Sequence, residues 1–207
     1  MTQISAVLFD IGNVLIRWDP EGYYDRAIGP ARRAAFFEAF DFFGLMDRID
    51  AGAPFSATVE AEAMANPAWG AEIRALRDDW CGIAQPAIPH SVRLLKALKA
   101  KGFPVFALSN FGSGNFPWSA RQFPFLTLFD RSYISGEMGL IKPDPAIYEA
   151  VEADCALPPG TLLFADDRAD NIAAAAARGW HTHLFEHPRG WADCLVHHTL
   201  LTKDEAT

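Results

Sequence analysis

Cysteine is scarce in this sequence, and its spacing fits neither a disulfide framework nor a zinc site. The three cysteines, Cys81, Cys155 and Cys194, lie far apart and include no C-x-x-C pair. An odd number of widely separated cysteines is more typical of a protein kept in a reducing compartment. We therefore expect a cytoplasmic protein.

The sequence also has no long hydrophobic run and no concentration of basic residues. No apolar stretch approaches the ~18 residues of a membrane-spanning helix, and the start of the chain lacks the basic segment of a signal peptide. The 18 Lys and Arg residues are outnumbered by 26 Asp and Glu residues, which gives a net charge of -8 with histidine neutral. We therefore expect neither a membrane nor a nucleic acid as a partner.

The hydrophobic content, by contrast, is high: 50% of the 207 residues. That is enough for one large domain, or for one domain with a sizeable insertion. Short apolar runs alternate with helical patterns, which predicts an α/β fold with a doubly wound parallel sheet. The predicted strands are Ala6–Phe9, Val105–Leu108, Ser132–Ile134, Leu162–Ala165 and a segment around Thr182–Phe185. The predicted helices between them run from His90 to about Lys101, from the capping Asp144 to about Ala153, and through an Ala-rich segment that ends at Gly179.

One interval departs from this alternation, because it shows helical patterns and no convincing strand. We therefore predict an all-helical insertion of residues 16–89 after the first strand, with residues 1–15 and 90–207 as the core domain. Aromatic side chains of the insertion form its own core or, in part, an apolar wall over a site. The predicted helices are Ala31–Phe43, Ser56–Ala65 and Glu72–Cys81, and the aromatic residues concerned are Phe36, Phe37, Phe40, Phe42, Phe43, Trp69 and Trp80.

Residues suited to chemistry occur at four places, all at predicted strand ends. Ligands bind at the carboxyl ends of strands in a doubly wound sheet, so this coincidence favours a site over ordinary turn, cap or loop residues. The four places are Asp10, the pair Ser109 and Asn110, Lys142, and the pair Asp166 and Asp167.

The residue types at these places match the requirements of phosphoryl transfer. The adjacent carboxylates of Asp166 and Asp167 repel each other unless a cation lies near them, and crowded oxygen ligands suit Mg²⁺. Ser109 and Asn110 can donate hydrogen bonds to an anion. Lys142, held extended by the proline that follows it, can aim its ammonium inward. A carboxylate nucleophile completes the set needed for an aspartyl-phosphate intermediate.

The order of these residues along the chain resembles the haloacid dehalogenase-like hydrolase superfamily, in the branch with a helical cap (C1) inserted after the first strand. Its core is a Rossmann-like sheet. The start of the chain and the segment around Lys142 are, more narrowly, similar to a bacterial subgroup of small sugar-phosphate phosphatases. The matching motifs are Phe9-Asp10-Ile11-Gly12-Asn13-Val14, Ser109-Asn110, Lys142-Pro143-Asp144-Pro145-Ala146-Ile147-Tyr148 and Asp166-Asp167, followed at the family's intervals by Asn171, Ala175 and Gly179.

The resemblance implies a Mg²⁺-dependent phosphatase that acts on a small phosphorylated metabolite, with sugar phosphates among the candidates, as a monomer or homodimer. Cap residues would select the substrate, and Arg17, Trp18 and Arg48 are the candidates to face the cleft. The catalytic residues would be Asp10 and Lys142, and the phosphoryl oxygens would be held by Ser109, Asn110 and Lys142. The ligands of Mg²⁺ would be Asp10, the carbonyl of Gly12, Asp166 and Asp167. Asn171 would orient Lys142 or an acidic ligand.

One position departs from the family pattern. Most phosphatases of the superfamily carry a second Asp two positions after the nucleophile, where it serves as general acid and then as general base. Here that position is Gly12, which has no proton to give. Such assistance is typically worth ~10²–10⁴ in rate. Of the nearby polar residues, the amide of Asn13 cannot act as an acid, and Asp19 is the remaining carboxyl.

Other functions stay open on this basis. A dehalogenase would use Asp10 to attack carbon and would need no metal, although the pair Asp166-Asp167 would repel the departing halide. A non-catalytic relative would bind a phosphorylated ligand or a protein partner through the cap. A phosphorylated receiver domain is disfavoured, because there the acid pair comes first in the chain and the lysine last.

Overall fold

The computed structural model describes residues 3–207, and within them the main sheet has five strands that are all parallel. The strands are β1 (Ala6–Phe9), β4 (Val105–Ser109), β5 (Arg131–Ile134), β6 (Leu162–Asp166) and β7 (His181–Leu184), and a second, two-stranded sheet contains β2 (Ile16–Trp18) and β3 (Ala84–Ala87). The main sheet has the order β5-β4-β1-β6-β7. This order reverses direction next to β1, as in Rossmann-like folds. The predicted doubly wound α/β core is confirmed.

Helices cover both faces of this sheet because successive residues of each strand point to opposite sides. Val7 and Phe9 pack with α7 (Pro89–Ala100) and α12 (Pro188–His197), whereas Ala6 and Leu8 pack with α10 (Pro145–Cys155). Strands that are buried on both faces are hydrophobic throughout, which explains the short apolar runs of the sequence. The core helices are α7 (Pro89–Ala100), α8 (Phe116–Gln122), α9 (Ser135–Met138), α10 (Pro145–Cys155), α11 (Ala169–Ala177) and α12 (Pro188–His197).

The insertion is mainly helical but carries one strand at each end, so the expectation of no strand between Leu15 and Pro89 was wrong. Strands β2 and β3 pair with each other, in antiparallel fashion. They are three and four residues long and mostly not buried, and a proline lies in β3, so neither gives an apolar run that a sequence pattern can show. The domain division at residues 16–89 stays a prediction. The helices between the two strands are α1 (Pro20–Ile28), α2 (Pro30–Ala39), α3 (Phe42–Asp50), α4 (Phe55–Ala65), α5 (Gly70–Asp78) and α6 (Trp80–Ile83).

The predicted helix Ala31–Phe43 is in fact two helices with a sharp break. Phe40 adopts an extended backbone and ends α2, and Asp41 then caps α3 by accepting a hydrogen bond from the backbone N–H of Gly44. The predicted helix Glu72–Cys81 is likewise divided, because Asp79 separates α5 from α6. An aspartate inside a helical pattern competes with the helix and favours a new cap.

Aromatic side chains form the core of the insertion. Phe36 is fully buried and contacts Tyr24, Phe40 and Trp69, with ring centroids 5.3, 5.5 and 5.5 Å away. Phe43, at the start of α3, is instead 49% exposed. Most of the phenylalanine cluster is therefore core, as one of the two alternatives predicted.

In residues 3–207, no helix combines the length and the hydropathy that a membrane crossing requires.

The aromatic core predicts different stabilities for two Phe→Ala variants. Phe36→Ala removes a buried ring and should lower the free energy of unfolding by about 3–5 kcal/mol. Phe43→Ala, the matched control on the half-exposed ring, should lower it by less than about 1.5 kcal/mol. Urea unfolding followed by circular dichroism measures both values. Equal losses in the two variants would contradict the assignment of Phe36 to the core.

Candidate active site

The site begins at Asp10, which follows directly after β1. The register pairs Phe9 with Ala165 of β6, so that Asp10 comes to lie beside Asp166 at the carboxyl edge of the sheet. Asp10 is 7% exposed, and its Oδ1 accepts a hydrogen bond of 2.8 Å from the backbone N–H of Ile11. Burial raises the pKa of the Asp10 carboxyl above its usual value, and the nearby Lys142 opposes this rise.

Lys142 supplies the positive charge of the site. Its Nζ lies 3.0 Å from Oδ1 of Asp10 and 2.6 Å from Oδ2 of Asp166, and it donates a hydrogen bond of 2.9 Å to the carbonyl of Leu108. Lys142 is only 3% exposed. Burial by itself would lower the pKa of this lysine, but the two carboxylates outweigh burial and hold the pKa above its usual value. The ammonium therefore stays charged inside the protein.

Asn110 holds the backbone of Lys142 in place. Its side-chain amide donates a hydrogen bond of 2.9 Å to the carbonyl of Lys142, and its Oδ1 accepts one of 2.8 Å from the N–H of Lys142. The structure thus gives the Asn110 side chain a positioning contact that the sequence did not indicate. A role for Asn110 as a phosphoryl ligand stays a prediction. Ser109, the last residue of β4, is buried beside Asp10, and its hydroxyl lowers the Asp10 pKa.

The acid pair, Asp166 and Asp167, lies at the end of β6, where Asp166 contacts Lys142. Asp166 is fully buried and accepts hydrogen bonds from the Asn171 amide, 3.0 Å to each carboxylate oxygen, and from the backbone N–H of Arg168 at 2.8 Å. Asn171 therefore orients an acidic residue rather than Lys142. Asp167 accepts a hydrogen bond of 3.0 Å from the amide of Asn13. Burial raises the pKa of the Asp167 carboxyl.

The carboxylates of this site fit a divalent cation. Asp10, Asp166 and Asp167 each offer an oxygen, and these oxygens all lie within 4.8 Å of one another. Three carboxylates and one buried ammonium leave a formal charge of -2 (-3 and +1), which a divalent ion would balance. Oxygen donors are also the ligands that Mg²⁺ prefers. Gly12, predicted to contribute its carbonyl, borders the same cavity.

A cavity of about 530 Å³ opens above Asp10 between the core and the insertion. Arg17 and Trp18 border it as predicted, whereas Arg48 is not among the bordering residues and pairs instead with Glu62 at 2.7 Å. Asp19 is occupied elsewhere, because it caps α1 by accepting a hydrogen bond from the N–H of Gly22. The apolar part of the lining is Ile11, Ile16, Trp18, Phe43, Met46, Trp80, Ala84, Phe111, Ile141 and Pro143.

Sequence reasoning gave Asn13 no role in the site, and it did not single out Asp47, Asp50 or Arg168, which also border the cavity. Asn13 links Asp167 to the start of the insertion, because its Oδ1 also accepts a hydrogen bond of 3.0 Å from the N–H of Trp18. Its φ of 54° is in the left-handed region, which asparagine adopts more readily than most residues. The sequence signal that could have identified Asn13 is an asparagine in a turn shortly after a predicted strand. Asp50 reaches the cavity from α3, and no motif marks it.

The carboxylate cluster predicts stabilisation by Mg²⁺. At a hundredfold excess over Kd, Mg²⁺ should stabilise the wild-type protein by about 2.7 kcal/mol, which raises Tm by several degrees. Asp166→Ala should lose this rise because it removes one ligand. Asp170→Ala is the matched control, since Asp170 is exposed and pairs with Arg168, and it should keep the rise. Differential scanning calorimetry with and without MgCl₂ measures the shifts. An equal rise in all three proteins would place the ion elsewhere.

The chain is similar to two characterised phosphatases over most of its length. It is 26% identical over 181 residues to the sesquiterpene phosphatase of Aspergillus oryzae, covering 86% of this chain and 88% of that protein. It is 24% identical over 203 residues to the D-ribitol-5-phosphate phosphatase of Bacteroides thetaiotaomicron, covering 93% of this chain and 97% of that protein. A shorter match, 33% identical over 81 residues, covers 39% of this chain and 15% of the drimenol cyclase of Aspergillus calidoustus, so the chain spans only a small part of that cyclase.

A solved structure shares the fold. It is a haloacid dehalogenase (HAD) family enzyme of Bacteroides thetaiotaomicron, in complex with magnesium and inorganic phosphate. The TM-score is 0.67 at 24% identity, over 87% of this chain and 93% of that chain. Residues 4–179, which include every predicted site residue, match the haloacid dehalogenase-like hydrolases. The chain therefore belongs to the haloacid dehalogenase-like hydrolase family.

Proposed function

We propose that this hydrolase is a Mg²⁺-dependent phosphatase that cleaves a small phosphate monoester through an aspartyl-phosphate on Asp10. The observation that carries the proposal is the contact between Asp10 and Lys142 inside a cluster of three carboxylates. The 3.0 Å distance between Oδ1 and Nζ pairs a nucleophile with the cation that its reaction needs. The two relatives described above, which match most of this chain, are phosphatases, and this supports the same reaction type.

Each core residue has a distinct part in this reaction. Asp10 attacks phosphorus, and the backbone N–H of Ile11 fixes the orientation of its carboxylate. Lys142 offsets the repulsion between the Asp10 carboxylate and the phosphate dianion. The Ser109 hydroxyl, at the end of β4, can donate to a phosphoryl oxygen. Asn110 keeps Lys142 in place through two hydrogen bonds to its backbone.

The metal ligands in this proposal are Asp10, the carbonyl of Gly12, Asp166 and Asp167. Bound Mg²⁺ supplies positive charge for the phosphoryl oxygens as negative charge accumulates in the transition state. Asn171 contributes by holding Asp166 through both carboxylate oxygens. A fixed carboxylate loses little freedom when an ion binds, which favours affinity.

A dehalogenase function agrees less well with the site. That reaction needs no metal, and a cluster with a formal charge of -2 beside the nucleophile would repel a departing halide. A binding protein without catalysis would not require Asp10 and Lys142 to be buried in contact. Turnover in the presence of Mg²⁺ separates the phosphatase from both alternatives.

The cavity lining leaves room for two kinds of alcohol in the substrate. Arg17 and Asp47 offer polar contacts of the kind that sugar hydroxyls use, whereas Trp18, Phe43 and Met46 offer an apolar wall. The two phosphatase relatives are named for a polyol phosphate and for a sesquiterpene. A panel containing sugar phosphates, polyol phosphates and phosphates of apolar alcohols decides between them. The cytoplasmic location and the monomeric or homodimeric state stay predictions.

The nucleophile assignment is tested by Asp10→Asn. The amide has nearly the same shape but does not attack phosphorus, so we expect less than about 1% of wild-type turnover, in keeping with the loss of a covalent nucleophile. Phosphate release from 4-nitrophenyl phosphate with MgCl₂ measures the rate. Asp170→Asn, outside the cluster, serves as the control and should keep its activity. Substantial turnover by Asp10→Asn would remove Asp10 as the nucleophile.

A further inference from the structure

The proposed reaction lacks a visible proton donor for the leaving group. Gly12 occupies the position of the usual acid, and Asp19 caps α1. Within the described part of the chain, four acids border the cavity: Asp10, Asp47, Asp50 and Asp167. Asp10 and Asp167 already belong to the carboxylate cluster. The candidates that remain are Asp47 and Asp50, both on α3.

Burial distinguishes these two aspartates. Asp47 is exposed, and water therefore solvates its charge. Asp50 is partly buried, and its Oδ1 is shielded from solvent without accepting a hydrogen bond from any residue of the described chain. A buried carboxylate oxygen without a hydrogen-bond partner makes the charged form costly, which favours the neutral acid. Asp50 is also the last residue of α3, where the helix dipole disfavours an anion.

Asp50 belongs to the insertion, but a hydrogen bond and close packing hold its backbone against the core beside the phosphoryl site. Its backbone carbonyl accepts a hydrogen bond of 2.6 Å from the Ser135 hydroxyl, which in turn accepts one of 2.9 Å from the N–H of Phe111. A side chain on Gly112 would come within 2.5 Å of Ile49, so α3 packs closely on the loop that follows β4. That loop begins with Asn110, directly after Ser109.

Burial and the carboxylates around Asp50 keep a fraction of it protonated near neutral pH. Asp47 lies on the same helix, and Asp10 and Lys142, which border the same cavity from the core, act on Asp50 through their charges. Burial, together with Asp47 and Asp10, raises the pKa of Asp50 to about 7, against the opposing effects of Lys142 and the N–H of Gly112. A group with a pKa near the working pH is suited both to give and to take a proton.

We propose that Asp50 is the proton donor to the leaving group and takes the place of the acid that is absent at Gly12. The inference rests on the proposed phosphatase function. As an oxygen of Asp10 bonds to phosphorus, the bond from phosphorus to the ester oxygen breaks, and the Asp50 proton passes to that oxygen to give the alcohol. In the second step, the Asp50 carboxylate takes a proton from the attacking water, the bond between phosphorus and Asp10 breaks, and phosphate leaves.

The experiment compares leaving groups of different acidity. Substituted phenyl phosphates and alkyl phosphates are the substrates, and the rate of formation of the alcohol or phenol in a single turnover with MgCl₂ is plotted against leaving-group pKa. A good leaving group such as 4-nitrophenolate departs without a proton, so Asp50→Asn should slow its release less than about tenfold. Alkyl phosphates should lose ~10²–10⁴ in rate, and the plot should become steeper.

Two further variants serve as control and rescue. Asp170→Asn, the control used above, removes an exposed negative charge that does not border the cavity and should keep the wild-type slope. Gly12→Asp in the Asp50→Asn protein should make the slope shallower again. The loop can accept the new side chain, because a Cβ at Gly12 would meet no atom within 4 Å and Gly12 does not have a positive φ.

The outcomes separate the inference from the function on which it rests. An unchanged slope in Asp50→Asn, or an equal loss on every substrate, would overturn Asp50 as the proton donor while leaving the phosphatase function intact. A wild-type protein without Mg²⁺-dependent turnover of any substrate would overturn the phosphatase function, and the inference with it. A steeper slope in Asp50→Asn and a normal slope in Asp170→Asn would support both.

Discussion

The buried ammonium of Lys142 is the constraint on which the rest of the site depends. Three carboxylates end at one edge of the sheet, and without a cation between them their repulsion in a poorly solvated place would be prohibitive. Lys142 contacts two of them directly. The amides around it serve this arrangement: Asn110 fixes the backbone of the lysine, and Asn171 fixes Asp166. A single positive charge still leaves the cluster negative, and that remaining charge is what makes it a place for a divalent ion.

The sheet order explains how residues so distant in sequence form one cluster. Strand β1 lies between β4 and β6, so side chains that follow these three strands emerge side by side. The strand register brings Ser109, Asp10 and Asp166 together, because each lies at the carboxyl end of its strand. The order in which the chain adds strands to the sheet reverses next to β1. A crevice opens at that point in folds of this kind. The insertion begins a few residues after Asp10 and therefore lies over the crevice.

The sequence was sufficient for the features that depend on local pattern and chain order. Buried parallel strands are apolar throughout, so the five strands of the main sheet were predicted within one or two residues, and the residues that follow them were the correct ones to examine. The features that it missed depend on distant partners. The short strands β2 and β3 exist only because they pair across the whole insertion. The position of Asp50 depends on Ser135, which is far along the chain. No local pattern reports such contacts.

The placement of Asp50 connects the insertion to the chemistry of the core. If the insertion only covered the cavity, close packing of its third helix on the loop after β4 would have no chemical consequence. A proton, however, is transferred only over hydrogen-bond distance. A donor on the insertion therefore has to be held at a fixed distance from the phosphate ester bound at the core. Two contacts fix the end of α3 against the core: the hydrogen bond from Ser135 to the Asp50 carbonyl and the close approach of Gly112 to Ile49. Oδ1 of the Asp50 carboxyl is shielded from solvent, which favours the protonated form. The loss of the acid at Gly12 and the fixed attachment of α3 are in this way two parts of one arrangement.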